Sequence, residues 1–357
     1  MTHHTFSSLE LYKKREFMKM KHAKRIFYIY CNRARKMKVF GKARRWFARN
    51  AILILLSLRA KRDEPYVFIN FRVQITTWNV NHKSPPEDLT PLLGLSRNPD
   101  VIAVGLQEVA VSPHEAILNT ILVDKWTRAL DQIMEKKAYA KVGNVAMVGI
   151  ILNVYVQERH KSKASVIDHA RVRTGFKGLY GNKGGVALMV LLYESTLTFV
   201  AAHLHPNDGA LEKRIEDFLV IEKRRGRSCS QEDYTFWFGD FNFRLYGQAY
   251  TANKIQHMVQ KGNLEELLSR DQLTDVRQAG RAFKGYEEMQ ITFKPTYRYT
   301  VGTDSHDLQR RPAWTDRVLY RAAEGREVIP VQYSVIPDFS ISDHKPVEAV
   351  FLIAVAT

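Results

Sequence analysis

The sequence predicts an α/β sandwich: two β-sheets packed face to face, with helices on the outside. Three observations point to it. Apolar runs of strand length recur after Pro65, and several are apolar throughout, as strands covered on both faces are. Stretches with helical spacing of apolar residues lie between them. The alternation continues for about 290 residues with no internal repeat and no low-complexity tract, which suits one large domain.

Taken in order, residues 71–78 alternate strongly and read as a strand. Residues 101–105 form a short, wholly apolar strand. Residues 115–137 carry Ile117, Ile121, Trp126, Leu130 and Ile133 at helical spacing. Residues 146–156, 186–193 and 198–202 read as buried strands, and 211–222 as a helix. Residues 234–238 read as a strand, 252–260 and 264–268 as helices, and 318–320 and 347–353 as closing strands.

The composition is that of an ordinary globular chain, with 45% hydrophobic and 25% charged residues. Cys31 and Cys229 lie far apart, which disfavours a disulfide framework or a cysteine zinc site and suits a reducing compartment. The net charge of +17 is unevenly placed. Residues 1–64 hold 18 Lys and Arg against 4 Asp and Glu, or +14, and the remainder carries only +3. The basicity therefore belongs to an N-terminal extension and is no argument for a nucleic-acid site in the rest. Gly41 is the only glycine of the extension and it has no proline, so basic helices or a disordered tail are both expected. Three roles stay open for it: a solvated tail, a transit peptide, or a peripheral contact with anionic membrane, where each Lys or Arg contributes about 1 kcal/mol. No apolar run reaches the roughly 18 residues that span a bilayer. The expected location is cytoplasmic and peripheral on membranes, with a monomer as the default.

The candidate chemical residues share one placement: each lies at the end of an apolar run. Asn79 follows residues 75–78, and Glu108 follows 101–106. His203 follows 199–202, and Asp240 and Asn242 follow 236–239. Asp316 follows Trp314-Thr315, and Asp343-His344 precedes the last strand. A rigid scaffold assembles sites in this way. Carboxylates with an amide suit a hard cation such as Mg²⁺, and Asp and His can activate or orient water. Each residue alone has an ordinary explanation. Glu108 could be a surface carboxylate, His203 a hydrogen-bonded structural histidine, and Asp240 and Asn242 turn formers. Asp316 and Asp343 could pair with Arg317 and Lys345 at the surface. The segment Gly181-Asn-Lys-Gly-Gly185 is either a loop whose amides cradle an anion or a plain hairpin turn.

Taken together, these residues resemble the inositol polyphosphate 5-phosphatase family from about residue 71 to 353. The strings that carry the resemblance are Thr77-Trp-Asn-Val80, Gly105-Leu-Gln-Glu-Val109, Arg173-Thr-Gly175, Gly181-Asn-Lys-Gly-Gly-Val186, His203-Leu204, Trp237-Phe-Gly-Asp-Phe-Asn-Phe-Arg244, Phe293-Lys-Pro-Thr-Tyr297, Arg311-Pro-Ala-Trp-Thr-Asp-Arg317 and Ser342-Asp-His-Lys-Pro-Val347. The resemblance implies a DNase I-like four-layer sandwich of two mixed sheets flanked by helices. It implies Mg²⁺ held chiefly by Glu108, with Asn79 close by and Asp343 as a further contributor. It gives Asp240 the attacking water, Asn242 the phosphate, His203 the phosphate or the leaving oxygen, and His344, oriented by Asp316, the phosphate or the water.

In the family, substrate is selected by a basic cluster around a neighbouring phosphate. Tyr297, Arg298 and Arg310 fall at those positions, with Lys183 and Asn182 nearby. Arg298 stands where Lys is frequent, Leu308 where some members have a second Lys, and Asn207 where a second His is frequent. The expected activity is hydrolysis of the 5-phosphate of phosphoinositides or soluble inositol polyphosphates, with no nucleic acid as partner. An endonuclease on the same fold and an inactive phosphoinositide-binding protein are the alternatives.

Overall fold

The structure is a computed structural model that describes residues 67–110, 125–175, 180–225 and 232–357, with backbone alone at Tyr180 and Gly181. The basic extension lies outside the described residues, as do the first ten residues of the expected helix 115–137. Phe68–Thr357 forms one compact unit.

The first sheet contains β1 (Phe68–Asn79), β2 (Val101–Gln107), β3 (Tyr139–Met147), β4 (Ile150–Gln157), β10 (Val328–Val335) and β11 (Val347–Ala356), in the order β10-β11-β1-β2-β4-β3. The second contains β5 (Ala164–Gly175), β6 (Tyr180–Leu192), β7 (Ser195–His203), β8 (Tyr234–Asp240) and β9 (Asp316–Ala322), in chain order. Each sheet is mixed. β1 and β2 run parallel in the first and β7 and β8 in the second, and all other neighbours are antiparallel. The helices are α1 (Lys125–Lys136), α2 (Leu211–Arg225), α3 (Ala252–Gln260), α4 (Leu264–Leu268) and α5 (Gln272–Gln278).

Three apolar clusters fill the gaps between four layers. The central one joins the sheets: Val73 and Ile75 of β1, and Ala103 of β2, share it with Phe199 and Ala201 of β7 and Phe236 and Phe238 of β8. The second lies outside the first sheet, where Trp78, Ile102 and Val104 meet Trp126, Leu130 and Met134 of α1. The third lies outside the second sheet, where Val200, Ala202 and Trp237 meet Ile215, Phe218 and Ile221 of α2. Alternate residues of one strand thus feed two different cores. That is why β2, β7 and β8 are buried in every position.

Four differences from the sequence expectations have local causes. Residues 146–156 are two strands, β3 and β4, because the chain reverses between Met147 and Ile150, which pair. β5 and β10 were not foreseen. β5 is an edge strand whose exposed residues mix polar Ser165, His169, Arg171 and Arg173 with apolar Val166 and Ile167, and β10 carries Pro330 at a register shift. α5 is short and was not foreseen either, although Asp271 caps it by accepting from the Thr274 amide. Finally, residues 181–185 are not a hairpin turn but part of β6, in which Gly184 and Gly185 pair with β5 on one side and β7 on the other. Gly184 has φ +141°, and a Cβ there would lie 2.0 Å from the Val172 carbonyl oxygen. The glycine serves close strand packing.

Candidate active site

The parallel pairs bring their last residues to one end of the sandwich. Asn79 pairs with Gln107 in the first sheet, and His203 pairs with Asp240 in the second. Across the gap, the Asn79 Nδ2 donates to Asp240 Oδ2 at 3.0 Å, so the two sheets meet at a carboxylate. Glu108, one residue beyond β2, has φ +52° and Asn242, two beyond β8, has φ +57°. Left-handed backbone at a non-glycine residue costs about 1–3 kcal/mol and tends to persist where a site demands it; Asn tolerates it better than Glu.

Asp240 is the centre. Its Oδ1 accepts the Asn242 amide at 3.0 Å, and its Oδ2 lies 3.3 Å from His203 Nε2 and 3.9 Å from His344 Nε2. Burial pushes this carboxyl up. Hydrogen bonds from His203 and Asn79 and the positive charge of His344 outweigh burial and hold it below the ordinary carboxylate range.

His344 is held on its other side. Its Nδ1 lies 2.9 Å from Asp316 Oδ2, which also accepts the hydroxyls of Thr296 at 2.7 Å and Thr315 at 2.8 Å. The second Asp316 oxygen is buried without a hydrogen-bond partner. Burial pushes the imidazole down, but the Asp316 and Asp240 carboxylates prevail and raise it to about 9. His344 is therefore a cation at neutral pH. The Trp78 indole donates to its carbonyl at 2.9 Å, and the Ser342 hydroxyl ties its turn to the Asn79 carbonyl at 2.7 Å. The ring of Tyr297 packs on it at 4.5 Å.

His203 has the opposite character. Burial, and then the neighbouring Lys183, push its pKa down. Lys183 Nζ sits 2.7 Å from His203 Nε2, and burial lowers the lysine as well. Glu108 Oε1 is 3.8 Å from the same ring nitrogen.

A cleft of about 190 Å³ opens over these groups. Glu108, Lys183, His203, Asp240, Asn242, Tyr297, Arg310, Asp343 and His344 line it, as do Arg244 and residues 206–208. Asn79 and Asp316 lie buried behind it. Two expected binding residues stand apart from the lining. Asn182 is exposed on β6. Arg298 is engaged by Asp343 at 3.3 Å and Asp307 at 3.1 Å. The surface pairings considered for Asp316 and Asp343 do not form: Arg317 is buried against Asp271 and Glu288, and Lys345 binds Asp304.

Two kinds of residue escaped sequence reasoning. Thr296 and Thr315 fix Asp316, and nothing in a lone threonine announces that. Arg244 closes the Trp237–Arg244 string but had been given no role. It donates to the Asn242 side-chain oxygen at 2.5 Å and lies 4.7 Å above the Tyr297 ring.

Two donor sets could hold a divalent cation. Asp240, Asp316 and His344 offer atoms within 4.8 Å of one another. Asp316 Oδ2 already accepts from two hydroxyls and lies 2.9 Å from His344 Nδ1, whereas its Oδ1 is buried without a partner. Glu108 is the more accessible carboxylate, 30% exposed, and Asn79 ends the neighbouring strand. These oxygen donors suit a hard cation that keeps part of its water shell.

The profile described as endonuclease/exonuclease/phosphatase family 2 matches residues 76–350. The chain is 34% identical over 319 residues to the type II inositol 1,4,5-trisphosphate 5-phosphatase of Mus musculus, covering 85% of this chain and 32% of that protein. It is 30% identical over 330 residues to inositol polyphosphate 5-phosphatase K of Mus musculus, covering 85% of this chain and 70% of that one. It thus spans about a third of the first relative and more than two thirds of the second. Among solved structures, the 5-phosphatase domain of spsynaptojanin with inositol (1,4)-bisphosphate and a calcium ion superposes with TM-score 0.72 at 28% identity, covering 85% of this chain and 90% of that one. A Cimex nitrophorin in its ferrous NO complex shares the fold at TM-score 0.66 and 25% identity, covering 80% and 99%. One architecture thus carries unrelated functions, and the site has to separate them. The fold is the expected DNase I-like sandwich, and the chain belongs to the inositol polyphosphate 5-phosphatase family within the endonuclease/exonuclease/phosphatase superfamily.

Proposed function

We propose that the chain hydrolyses the 5-phosphate of phosphoinositides or soluble inositol polyphosphates, with Mg²⁺ bound by Glu108 and Asn79 and with Asp343 as a further ligand. The observation that carries the reading is Asp240, an ionised carboxylate on the cleft floor that groups from both sheets approach. The spsynaptojanin domain that binds an inositol bisphosphate has the same fold, which supports the substrate class.

Asp240 orients the attacking water. A carboxylate held this far below neutrality is a weak base, so it directs the water more than it deprotonates it in advance. The water oxygen bonds to phosphorus as the bond from phosphorus to the ring oxygen breaks. The ring oxygen leaves as a hydroxyl and inorganic phosphate is released. His344, as an imidazolium backed by Asp316, donates from Nε2 to a phosphoryl oxygen and offsets its charge. Lys183 adds a second cation beside His203. Asn242 fixes the phosphate through the part of its side-chain amide that Leu204 and Arg244 leave free. Mg²⁺ would polarise the phosphoryl oxygens and stabilise charge on the leaving oxygen. Tyr297 and Arg310 meet a phosphate on a neighbouring ring carbon, with Arg298 released to it from Asp343 and Asp307.

The reading predicts Mg²⁺-dependent phosphate release from a 5-phosphorylated inositol lipid or headgroup, and none from plasmid DNA. Cleavage of plasmid with no release from any 5-phosphorylated substrate would sink it. The proposed membrane contact of residues 1–64 is separate. Deleting them should weaken binding to anionic vesicles without changing turnover of a soluble substrate.

A further inference from the structure

The two arginines proposed to meet a neighbouring phosphate stand in different states. Arg310 lines the cleft, and among the described residues its side chain has no hydrogen-bond or carboxylate partner. Arg298 is off the lining. Its Nε lies 3.3 Å from Asp343 Oδ2 and its Nη1 lies 3.1 Å from Asp307 Oδ2, so one guanidinium bridges two carboxylates. Asp343 does line the cleft, and among the described residues Arg298 is its only cationic partner.

The backbone around this bridge is pinned. The Tyr299 amide donates to the Asp343 carbonyl at 2.8 Å, and the Asp307 amide donates to the Arg298 carbonyl at 2.8 Å. Tyr297 and Ala313 exchange two backbone hydrogen bonds, at 3.2 and 2.9 Å. Asp307 also shapes the turn that carries Arg310: its carboxylate accepts the Gln309 amide at 2.9 Å and its carbonyl the Arg310 amide at 3.4 Å. A change of partner at Arg298 is therefore a side-chain movement over fixed backbone. A half-buried arginine between two carboxylates is often an ordinary ion pair. Here the carboxylate it holds is a proposed cation ligand, and the other arginine of the same turn stands unpaired on the cleft.

We infer that Asp343, Arg298 and Asp307 form a latch that couples cation binding to phosphate binding: a divalent cation at Asp343 frees Arg298 for a phosphate on the substrate ring. The latch rests on the proposed phosphatase reading and adds a coupling between its metal and substrate sites. Asp343 cannot serve both partners at full strength. A dication on either of its oxygens offsets the carboxylate charge and stands as a like charge close to the guanidinium. Arg298 then keeps Asp307 alone. A phosphate carries more charge than one carboxylate and accepts the guanidinium fork in bidentate fashion, so it displaces Asp307. Arg310 has no such competitor and meets the phosphate with or without the cation. By linkage, a phosphate that holds Arg298 away from Asp343 strengthens cation binding in return.

Calorimetry on the full chain tests this with inositol 1,4-bisphosphate, which has no 5-phosphate to lose. Its binding is measured with and without saturating Mg²⁺, and Mg²⁺ binding with and without the bisphosphate. Each ligand should tighten the other by the same factor, about fivefold or more. Arg298→Gln should abolish that coupling. It also leaves Asp343 without a competitor, so it should bind Mg²⁺ about threefold or more tighter than the unaltered chain. Arg310→Gln should weaken the bisphosphate in both conditions yet keep the coupling, with Mg²⁺ affinity within about twofold of the unaltered chain. In metal-free protein, Asp343→Asn frees Arg298 as a cation would, and should tighten the bisphosphate about fivefold. Thermal melts confirm that the variants fold. The latch is overturned by no gain with Mg²⁺ in the unaltered chain, by coupling that survives Arg298→Gln, or by equal Mg²⁺ affinity in Arg298→Gln and the unaltered chain. A bisphosphate affinity that Asp343→Asn leaves unchanged overturns it as well. None of these results touches the phosphatase reading, which phosphate release from a 5-phosphorylated substrate decides separately.

Discussion

The two parallel strand pairs end at the same place but in opposite conditions. The β1–β2 end offers Glu108, whose side chain is 30% exposed in the cleft wall and whose close contacts are two histidine rings at 3.5 and 3.8 Å. The β7–β8 end offers His203 and Asp240, each with a side chain 2% exposed and crowded by partners. One sheet thus presents a carboxylate that a cation can reach. The other presents a carboxylate and an imidazole almost wholly buried at the floor of the cleft, where protonation is set by neighbours more than by solvent. The proposed hydrolysis needs both, and packing the two sheets face to face with these strand ends aligned puts them within one hydrogen bond of each other, Asn79 to Asp240.

The largest expected effect separates the two ends by kind of failure. Asp240→Asn keeps the shape but removes the charge, and kcat should fall by roughly a thousandfold or more at any Mg²⁺ concentration. Glu108→Gln should instead raise the Mg²⁺ concentration needed for half activity by at least about tenfold, with part of the rate restored at high metal. Steady-state assays across a Mg²⁺ series check both, with circular dichroism to confirm folding. If metal rescues Asp240→Asn and not Glu108→Gln, the roles of the two ends are reversed.

A second effect follows from the sealed end. His344 is raised in the folded chain, so the stability it contributes is full below its unfolded value of about 6.5 and is lost as pH rises towards about 9. In metal-free protein its ring should titrate near 9 by NMR, and the denaturation midpoint should fall across that window. Asp316→Asn should lower the His344 value and flatten the fall. Asp240 works with the opposite sign: being depressed, it contributes above the carboxylate range, and that contribution is lost on acidification. A His344 titration near 6.5 would mean that Asp316 and Asp240 do not govern it.

The smallest effect in activity terms is one of stability. Gly239, just before Asp240, has φ +149°, and a Cβ there would lie 1.9 Å from the Ala202 carbonyl oxygen. Gly239→Ala has to move β8 from β7 and should cost about 3 kcal/mol, read by chemical denaturation. Loss below about 1 kcal/mol would show that the β7–β8 end is looser than its packing implies.

Much of this was legible in the sequence. Apolar runs located β2, β7, β8 and β11, and alternation located β1, within a few residues, because these strands are buried over most of their length. The same signal failed at β5 and β10, edge strands with weak or interrupted apolar character, and it fused β3 with β4, whose two-residue turn is too short to interrupt an apolar run. The strings around Asn79, Glu108, His203, Asp240, Asp316 and His344 marked the candidate site because each sits at a strand end, the first four where a strand stops and the last two where one starts. The buffering residues Thr296, Thr315 and Ser342 were not legible, since a hydroxyl leaves no pattern until its partner arrives from elsewhere in the chain.

By itself, the sequence determined the fold class, the family strings and the confinement of most of the positive charge to residues 1–64. Those are properties of composition, periodicity and local order, which a chain carries before it folds. The tertiary structure decided the protonation of the site. Asp343 and His344 are neighbours in sequence, yet the acid turns to Arg298 while the histidine turns to Asp316, 28 residues away, and approaches Asp240 from the opposite sheet. Charge in a buried site depends on which groups lie within a few ångströms once water is excluded, and that distance exists only in the folded chain.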